Sequence, residues 1–461
     1  MKITLFLIKI LVLLNLIFHL SLASDDILKM PEFKKVLLDN GLELWLSKTT
    51  EKQGVFFKFY FPNGQLFDPL NKEGSVELMV DLLDENTQKY SGFEIAQKIN
   101  HVGGSLVLSS DAYHSYAYCH VLKKDSDLAI DLLSQVLIYP EFTLKDMDRL
   151  KTQFLLSIQK SQKQPEYLIQ QQFYAHMYDG SQRLARSESI KSIKQITLED
   201  INQVFKSCIN PKGAVLVVMG DIDISLIEKK LTQAFSNWKG KQSNNMVNTA
   251  IRYTSDNLVL IDKKDLNQSH LVLAMKGLRQ NEVEYPAYRI MNYVLGGAGF
   301  SSRLMEKIRS EKGLTYSIYS NMVQNPDEAF FVISTFTKND NLPQMLKEIQ
   351  QLINEFVQKG ITSQELANAQ SYFKGNLPIR YETPIQKADF LYTARRYQLS
   401  EQKAKQILID LLNLKLIDVN DFIKSYFKHN PFQTILLTDY QKIKDLLKSE
   451  AIALDKIIEI E

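Results

Sequence analysis

Phe142-Thr143-Leu144-Lys145-Asp146 returns as Ile361-Thr362-Ser363-Gln364-Glu365, at an offset of 219 residues. In each copy the threonine hydroxyl can accept from a backbone N–H one turn on, and the acid there can reach back, so each reads as a helix start. Working outward at nearly the same offset, Pro165 matches Pro384. Ile196-Thr-Leu-Glu-Asp200-Ile201 then matches Ile417-Asp-Val-Asn-Asp421-Phe422, and Asn210-Pro211 matches Asn430-Pro431. Each Asn-Pro precedes a β-rich run, Ala214 to Val218 in one case and Thr434 to Thr438 in the other. Toward the N-terminus, Lys98-Ile99 and Gly104 match Lys307-Ile308 and Gly313 at an offset of 209, which calls for an insertion of about one loop between the two groups of matches. Any single match could be chance. Their common order and nearly constant spacing define an internal repeat.

The chain is therefore read as two copies of one unit, each of about two hundred residues, a size suited to a domain. The join falls in Trp238 to Asn257, where Lys239-Gly-Lys-Gln-Ser-Asn-Asn245 is polar and aperiodic. This predicts domains over 24–240 and 241–461, after a leader over 1–23. Within the first copy, β-like runs (Val55 to Phe61, Ser105 to Leu108, Ser115 to Val121) interleave with amphipathic helical stretches (Asp127 to Leu137, Lys145 to Ser161). Alternation of polar and apolar residues in the strands predicts a mostly antiparallel sheet with one covered face. The expected class is α+β, with two homologous sandwich-like domains, each a sheet covered by helices.

Of the 461 residues 45% are hydrophobic and 23% charged, ordinary globular composition and too long a chain for one compact core. Met1 to Ala23 reads as an export leader: Lys2 gives a positive start, Leu5 to Leu14 is apolar apart from Lys9, and Ser21-Leu22-Ala23 sets small residues before a cut at Ser24. An uncleaved anchor is the alternative, disfavoured by Lys9, Asn15 and His19 within the apolar stretch. An exported, periplasmic or otherwise extracytoplasmic protein is expected. Without the leader, basic and acidic residues balance at 53 each, since the leader takes two of the 55 Lys and Arg and none of the 53 acids. No tract is basic enough for a nucleic-acid footprint. Cys119 and Cys208 are the two cysteines, and an oxidising compartment would permit one disulfide between them.

The segment Leu295-Gly-Gly-Ala-Gly-Phe-Ser-Ser-Arg-Leu-Met-Glu-Lys-Ile-Arg-Ser-Glu-Lys-Gly-Leu-Thr-Tyr-Ser317 closely resembles the second-half signature of the insulinase, pitrilysin and mitochondrial-processing-peptidase family. The repeat, the threonine-led helix starts and the ending from Asn210-Pro211 to Gly220-Asp221 also fit. The resemblance implies that Arg309 and Tyr316 stand where an arginine and a tyrosine seven residues apart face the bound peptide. The chemistry is sensible in its own right, because a phenol or guanidinium aimed at the carbonyl oxygen stabilises the charge that develops there during peptide hydrolysis. Arg309 is expected to end a helix, Gly313 to turn the chain and Tyr316 to sit on the next strand. Gly296, Gly297 and Gly299 resemble the family's glycine-rich loop but also suit a plain helix stop and tight turn.

Zinc-holding members carry HxxEH on a first-half helix, two histidines one turn apart as ligands and a glutamate that activates water. Alignment on Gly74 puts Glu77, Val80 and Asp81 at those three positions, so both histidines and the base are missing. A further glutamate ligand is also missing, because Arg149 to Pro165 contains no acid. Glu77 and Asp81, with Asp84 or Glu85 one turn on, could offer oxygen to a metal but read better as a solvated acidic stripe. His114 and His120 would share a strand face without a third ligand. No metal is expected on this chain.

Loss of one half-site beside retention of the other implies a zinc-less subunit of a heteromeric metallopeptidase acting on unfolded peptides. Zinc would sit on an HxxEH-bearing partner of the same family, with Arg309 and Tyr316 supplied in trans. A catalytically inert peptide-binding or scaffold protein of the same fold is the second reading. A stand-alone peptidase is the third, and no nucleophile-base pattern supports it.

Overall fold

The computed structural model describes residues 30–49, 54–178, 182–240, 257–326 and 328–460. The leader over 1–23 lies outside them, as does the polar join over 241–256. The first sheet has the spatial order β1 (Lys34–Leu37), β2 (Glu43–Lys48), β6 (Val215–Gly220), β3 (Gly54–Phe61), β5 (Ser115–Leu122), β4 (Ser105–Ser110). Central β6 is buried throughout, which is why it reads Val-Leu-Val-Val-Met without alternation. Strand β5 alternates, burying Ser115, Ala117, Cys119 and Val121 while the residues between them are half-buried. Four pairings are antiparallel, and β2 runs parallel to β6.

The second sheet has the order β12 (Lys456–Glu459), β7 (Leu258–Asp262), β11 (Gln433–Thr438), β8 (Gln268–Lys276), β10 (Ala329–Lys338), β9 (Ile318–Gln324). From the second position inward the two orders are the same, so β7, β11, β8, β10 and β9 correspond to β2, β6, β3, β5 and β4. The edge differs. Strand β1 lies antiparallel on β2, whereas β12, from the far end of the chain, lies parallel on β7.

The first copy carries helices α1 (Ser75–Leu82), α2 (Gly92–His101), α3 (Ser126–Ile138), α4 (Leu144–Ser161), α5 (Pro165–Met177), α6 (Ile190–Gln195), α7 (Leu198–Cys208) and α8 (Ile224–Phe235). The second carries α9 (Tyr285–Asn292), α10 (Leu342–Lys359), α11 (Ser363–Arg380), α12 (Pro384–Arg396), α13 (Glu401–Asn413), α14 (Leu416–His429) and α15 (Tyr440–Ser449). Both threonine starts are real: Thr143 Oγ1 accepts from Asp146 N at 3.1 Å, and Thr362 forms a reciprocal capping box with Glu365. The Ile196 and Ile417 segments differ more than their match suggests. Helix α7 starts after Thr197, whereas α14 has already started at Leu416, so the second copy's helix is about a turn longer.

Dense contacts group Glu32–Val272 with Gln433–Glu461 in one compact unit and gather Leu273–Phe432 in another. In the first unit Phe59, Phe61, Phe235 and Trp238 meet with ring centroids 5.3 to 6.2 Å apart, over a core that includes Phe57, Leu78, Leu133 and Leu216. In the second, Tyr288 of α9 packs on Phe331 of β10 and on Phe422 and Tyr426 of α14. Each such fully buried side chain contributes roughly 1.5–3 kcal/mol. Cys119 and Cys208 are both free and buried. Burial alone pushes the Cys119 thiol up to about 12.

Candidate functional site

Arg309 lies in Met305–Glu311, a helical segment wound more widely than an α-helix. Lys312 N–H reaches the carbonyl of Lys307 at 3.2 Å, five residues back. Gly313 then turns the chain at φ +63°, with its N–H on Arg309 O and Leu314 N–H on Ile308 O. In the first copy the glycine in that conformation is Gly103, also at φ +63°, and it is Gly104 N–H that closes on Ile99 O. The conformational partner of Gly313 is therefore Gly103, one residue before the Gly104 expected from sequence spacing. The second copy holds one extra residue between the buried isoleucine and the turn, and the wide turn absorbs it. Single-residue bulges of this kind recur at functional sites.

The turn after Gly313 presents Tyr316. Arg309 Nε donates to Tyr316 O at 3.0 Å, and the Arg309 guanidinium lies 4.7 Å from the centre of the Phe300 ring. Two threonines of β10 pin the flanks of the turn: Thr337 Oγ1 donates to Leu314 O at 2.6 Å and Thr335 Oγ1 to Ser317 O at 2.9 Å. Tyr316 between them is 80% exposed. Strand β9 begins at Ile318, so Tyr316 stands on the turn before the strand and not on the strand itself. Phe300, 70% exposed, joins this surface although sequence reasoning did not single it out. Its position between Gly299 and two serines was the available signal. The glycines before it serve packing: a Cβ on Gly296 would come within 2.4 Å of Ser320 N, and one on Gly297 within 2.8 Å of Asn292 Nδ2. Gly299, at φ +58° with open space around it, makes the turn that carries Phe300.

At the position of the metal motif, α1 presents Glu77 half-buried, Val80 within the core at 1% exposure, and Asp81 on the surface. Burial, with help from the charges of Glu188, Asp81 and Asp68, pushes Glu77 up to about 7, against the pull of Arg183. Under the helix start lies a buried ion cluster. Asp68 accepts from Gly74 N at 2.8 Å, Val76 N at 2.7 Å and Arg183 Nε at 2.9 Å, and Arg183 also pairs with Glu188 at 2.6 Å. Helix α4, where the further ligand would stand, packs against α1 and buries Met147, Leu150 and Ile158. Glu85 pairs with Arg149 at 2.5 Å. His114 stands just before β5, 3.5 Å from Asp111 and with its ring 5.8 Å from that of Tyr116, while His120 stacks on Phe56. Among the described residues no group of three His, Cys, Asp or Glu is placed to hold a metal. Two repelling carboxylates beside a buried valine do not fit a resident zinc.

Two family profiles match the chain in tandem: "Insulinase (Peptidase family M16)" over residues 45–187 and "Peptidase M16 inactive domain" over residues 195–373. The chain belongs to the M16 insulinase family. Among its M16 relatives, a protein of Helicobacter pylori named non-peptidase homolog YmxG is 27% identical, over 84% of this chain and 90% of that protein. A Bacillus subtilis protein named uncharacterized zinc protease YmxG is 25% identical, over 77% and 86%. In fold, the crystal structure of a peptidase M16 inactive domain from Pseudomonas fluorescens superposes with a TM-score of 0.79 at 20% identity, over 88% of this chain and 97% of the other. Among the described residues of this M16 chain, no helix is long and apolar enough to cross a membrane.

Proposed function

We propose that this M16 chain is the non-zinc-binding subunit of a heteromeric zinc metallopeptidase, lending Arg309 and Tyr316 to a site whose metal is held by a partner chain with an intact HxxEH. The observation that carries this reading is a braced but exposed phenol. Arg309, Thr335 and Thr337 fix the backbone around Tyr316, yet its ring packs into no core. An ordered donor left facing solvent suits a role toward another molecule, and a developing oxyanion is the species it would stabilise best. The partner's zinc would polarise the carbonyl and activate water when bound. This chain's part is to hold a peptide and to place a hydrogen-bond donor. The export leader expected from the sequence would put both chains in an extracytoplasmic compartment, where unfolded peptides are the substrate class.

The test is reconstitution: purify this chain, add HxxEH-bearing M16 chains from the same source, and follow cleavage of unstructured peptides. Activity that appears only in the mixture, and falls with Arg309→Ala and Tyr316→Phe, supports the reading. Equal activity with and without this chain overturns it. The name of the Helicobacter pylori relative favours a second reading, an inert peptide-binding or scaffold protein. It predicts variants that alter assembly or peptide affinity while turnover by the mixture stays unchanged.

A further inference from the structure

Helix α9 occupies in the second copy the place of motif helix α1 in the first: each follows the corresponding long strand, β8 or β3, and opens the helical layer of its copy. Beside α9 lies a cavity of about 560 Å³ within the Leu273–Phe432 unit, walled also by α11 and α12 and by the start of α13. That size is in the range of small-ligand sites. Arg289 of α9 and Arg380 at the end of α11 both line it. The Arg289 guanidinium lies 4.7 Å from the centre of the Phe373 ring. Tyr293, Tyr372 and Phe373 form a contiguous aromatic wall, with centroids 4.6 to 5.5 Å apart.

Among the described residues no ion pair of Arg289 with an acid is found there. Asp389 also lines the cavity and is itself engaged, and it is not among the groups that act most strongly on Arg289. The groups that act most strongly on Arg289 are the hydroxyls of Tyr285, Tyr381 and Tyr372 and the like charge of Arg380, none of them a carboxylate. Burial is the largest influence and holds the guanidinium below the ordinary arginine range. A cation partly withdrawn from water beside a second cation is a costly arrangement unless an anion completes it. A guanidinium over a ring uses its face for that contact, which leaves its N–H edge for a planar, two-oxygen acceptor.

We propose that this cavity binds the terminal carboxylate of a peptide, with Arg289 as the principal carboxylate ligand, Arg380 at the rim, and the aromatic wall receiving an apolar last side chain. A carboxylate suits the site better than phosphate, because the half-buried, ring-stacked guanidinium offers one planar edge and the aromatic wall beside it suits an organic side chain. Neither a zinc-bearing partner nor the Arg309 and Tyr316 surface is needed for this binding.

Binding of fluorescein-labelled Ala-Ala-Phe to the purified full chain, followed by anisotropy, tests the assignment against the same peptide ending in an amide and against inorganic phosphate as competitor. The free acid should bind at least about tenfold more tightly than the amide, roughly 1.4 kcal/mol or more. The ratio should fall toward one in Arg289→Gln, and Arg289→Lys should recover only part of it. Circular dichroism of both variants separates lost binding from lost folding, and Phe373→Leu probes the stacked face if Arg289→Gln does not fold. Acid selectivity kept in a folded Arg289→Gln would place the carboxylate elsewhere and overturn the assignment. Equal binding of acid and amide, no binding of either, or displacement by phosphate at concentrations comparable to the peptide would each overturn it too.

Discussion

Arg309 reaches across the Gly313 turn and donates to the backbone carbonyl of Tyr316, not to its hydroxyl. The arginine thereby orders the turn, and the phenol is left free to serve something outside the chain. The pair is not symmetric: Arg309 positions and also carries charge, whereas Tyr316 only presents its ring. Tyr316→Phe should therefore lower turnover of a reconstituted peptidase by about 100-fold, in line with loss of one oxyanion donor. Arg309→Ala should lower it at least as far and also raise KM, because the turn loosens. Tyr316→Phe should unfold within about 0.5 kcal/mol of wild type, as surface changes do, and Arg309→Ala should lose about 1 kcal/mol with its hydrogen bond to the turn. Steady-state kinetics and urea melts check this, and a Tyr316→Phe mixture with full kcat contradicts it.

The ion cluster under α1 should be a large contributor to holding that helix. Asp68 is fully buried in its side chain and Arg183 nearly so. Removing Arg183 leaves Asp68 only its backbone donors, so Arg183→Met should lose roughly 3–5 kcal/mol by urea denaturation, and Asp68→Ala, which leaves Arg183 its pair with Glu188, should lose less. The double variant should lose clearly less than the sum of the two. Additive losses would mean that the two side chains do not depend on each other.

Glu77 gives a pH dependence of definite sign. Its folded value is pushed up to about 7 from an ordinary 4.5, so between those limits the folded chain keeps a proton that the unfolded chain has released. Stability from this group is then fully present below about pH 4.5 and lost as pH rises through 7. Glu77→Gln removes the effect, and its melting temperature should exceed that of wild type above pH 7 and converge on it toward pH 4.5. A difference that stays constant with pH would contradict the burial argument.

Rebuilding the motif should fail without a further ligand. Glu77→His, Val80→Glu and Asp81→His together restore HxxEH, yet α4 packs on α1 with buried apolar side chains and has no acid after Asp148. Weak zinc uptake by calorimetry and no peptidase activity are expected. Glu at position 80 should also destabilise the chain by several kcal/mol, since a carboxylate would replace a side chain that is 1% exposed. Tight zinc and activity in this variant would show that α4 is not where the further ligand must stand.

The cysteines should behave as two buried thiols. A thiol reagent should label neither in the folded chain and both in denaturant, and a reductant should leave the melting temperature unchanged. A fall in melting temperature on reduction would reveal a bridge.

The sequence by itself determined the repeat, the threonine caps and, for the runs it marked out, strands and helices within a residue or two, while Arg309, Tyr316 and the metal-motif positions were singled out through the family resemblance. The repeat, the caps and these elements rest on local signals, spacing of apolar residues and short hydrogen-bonding motifs, which survive in one dimension. Sequence spacing erred where geometry absorbs a residue: the wide turn at Arg309 shifts the match from Gly104 to Gly103. Tertiary structure alone decided that Thr335 and Thr337 brace Tyr316, that Phe300 lies under the Arg309 guanidinium, and that Arg183 pairs with Asp68 across 115 residues. It also decided that one sheet takes its edge strand from the start of the chain and the other from its end. Such partners meet through packing of elements far apart along the chain, and no periodicity in the sequence records which side chains that packing brings together.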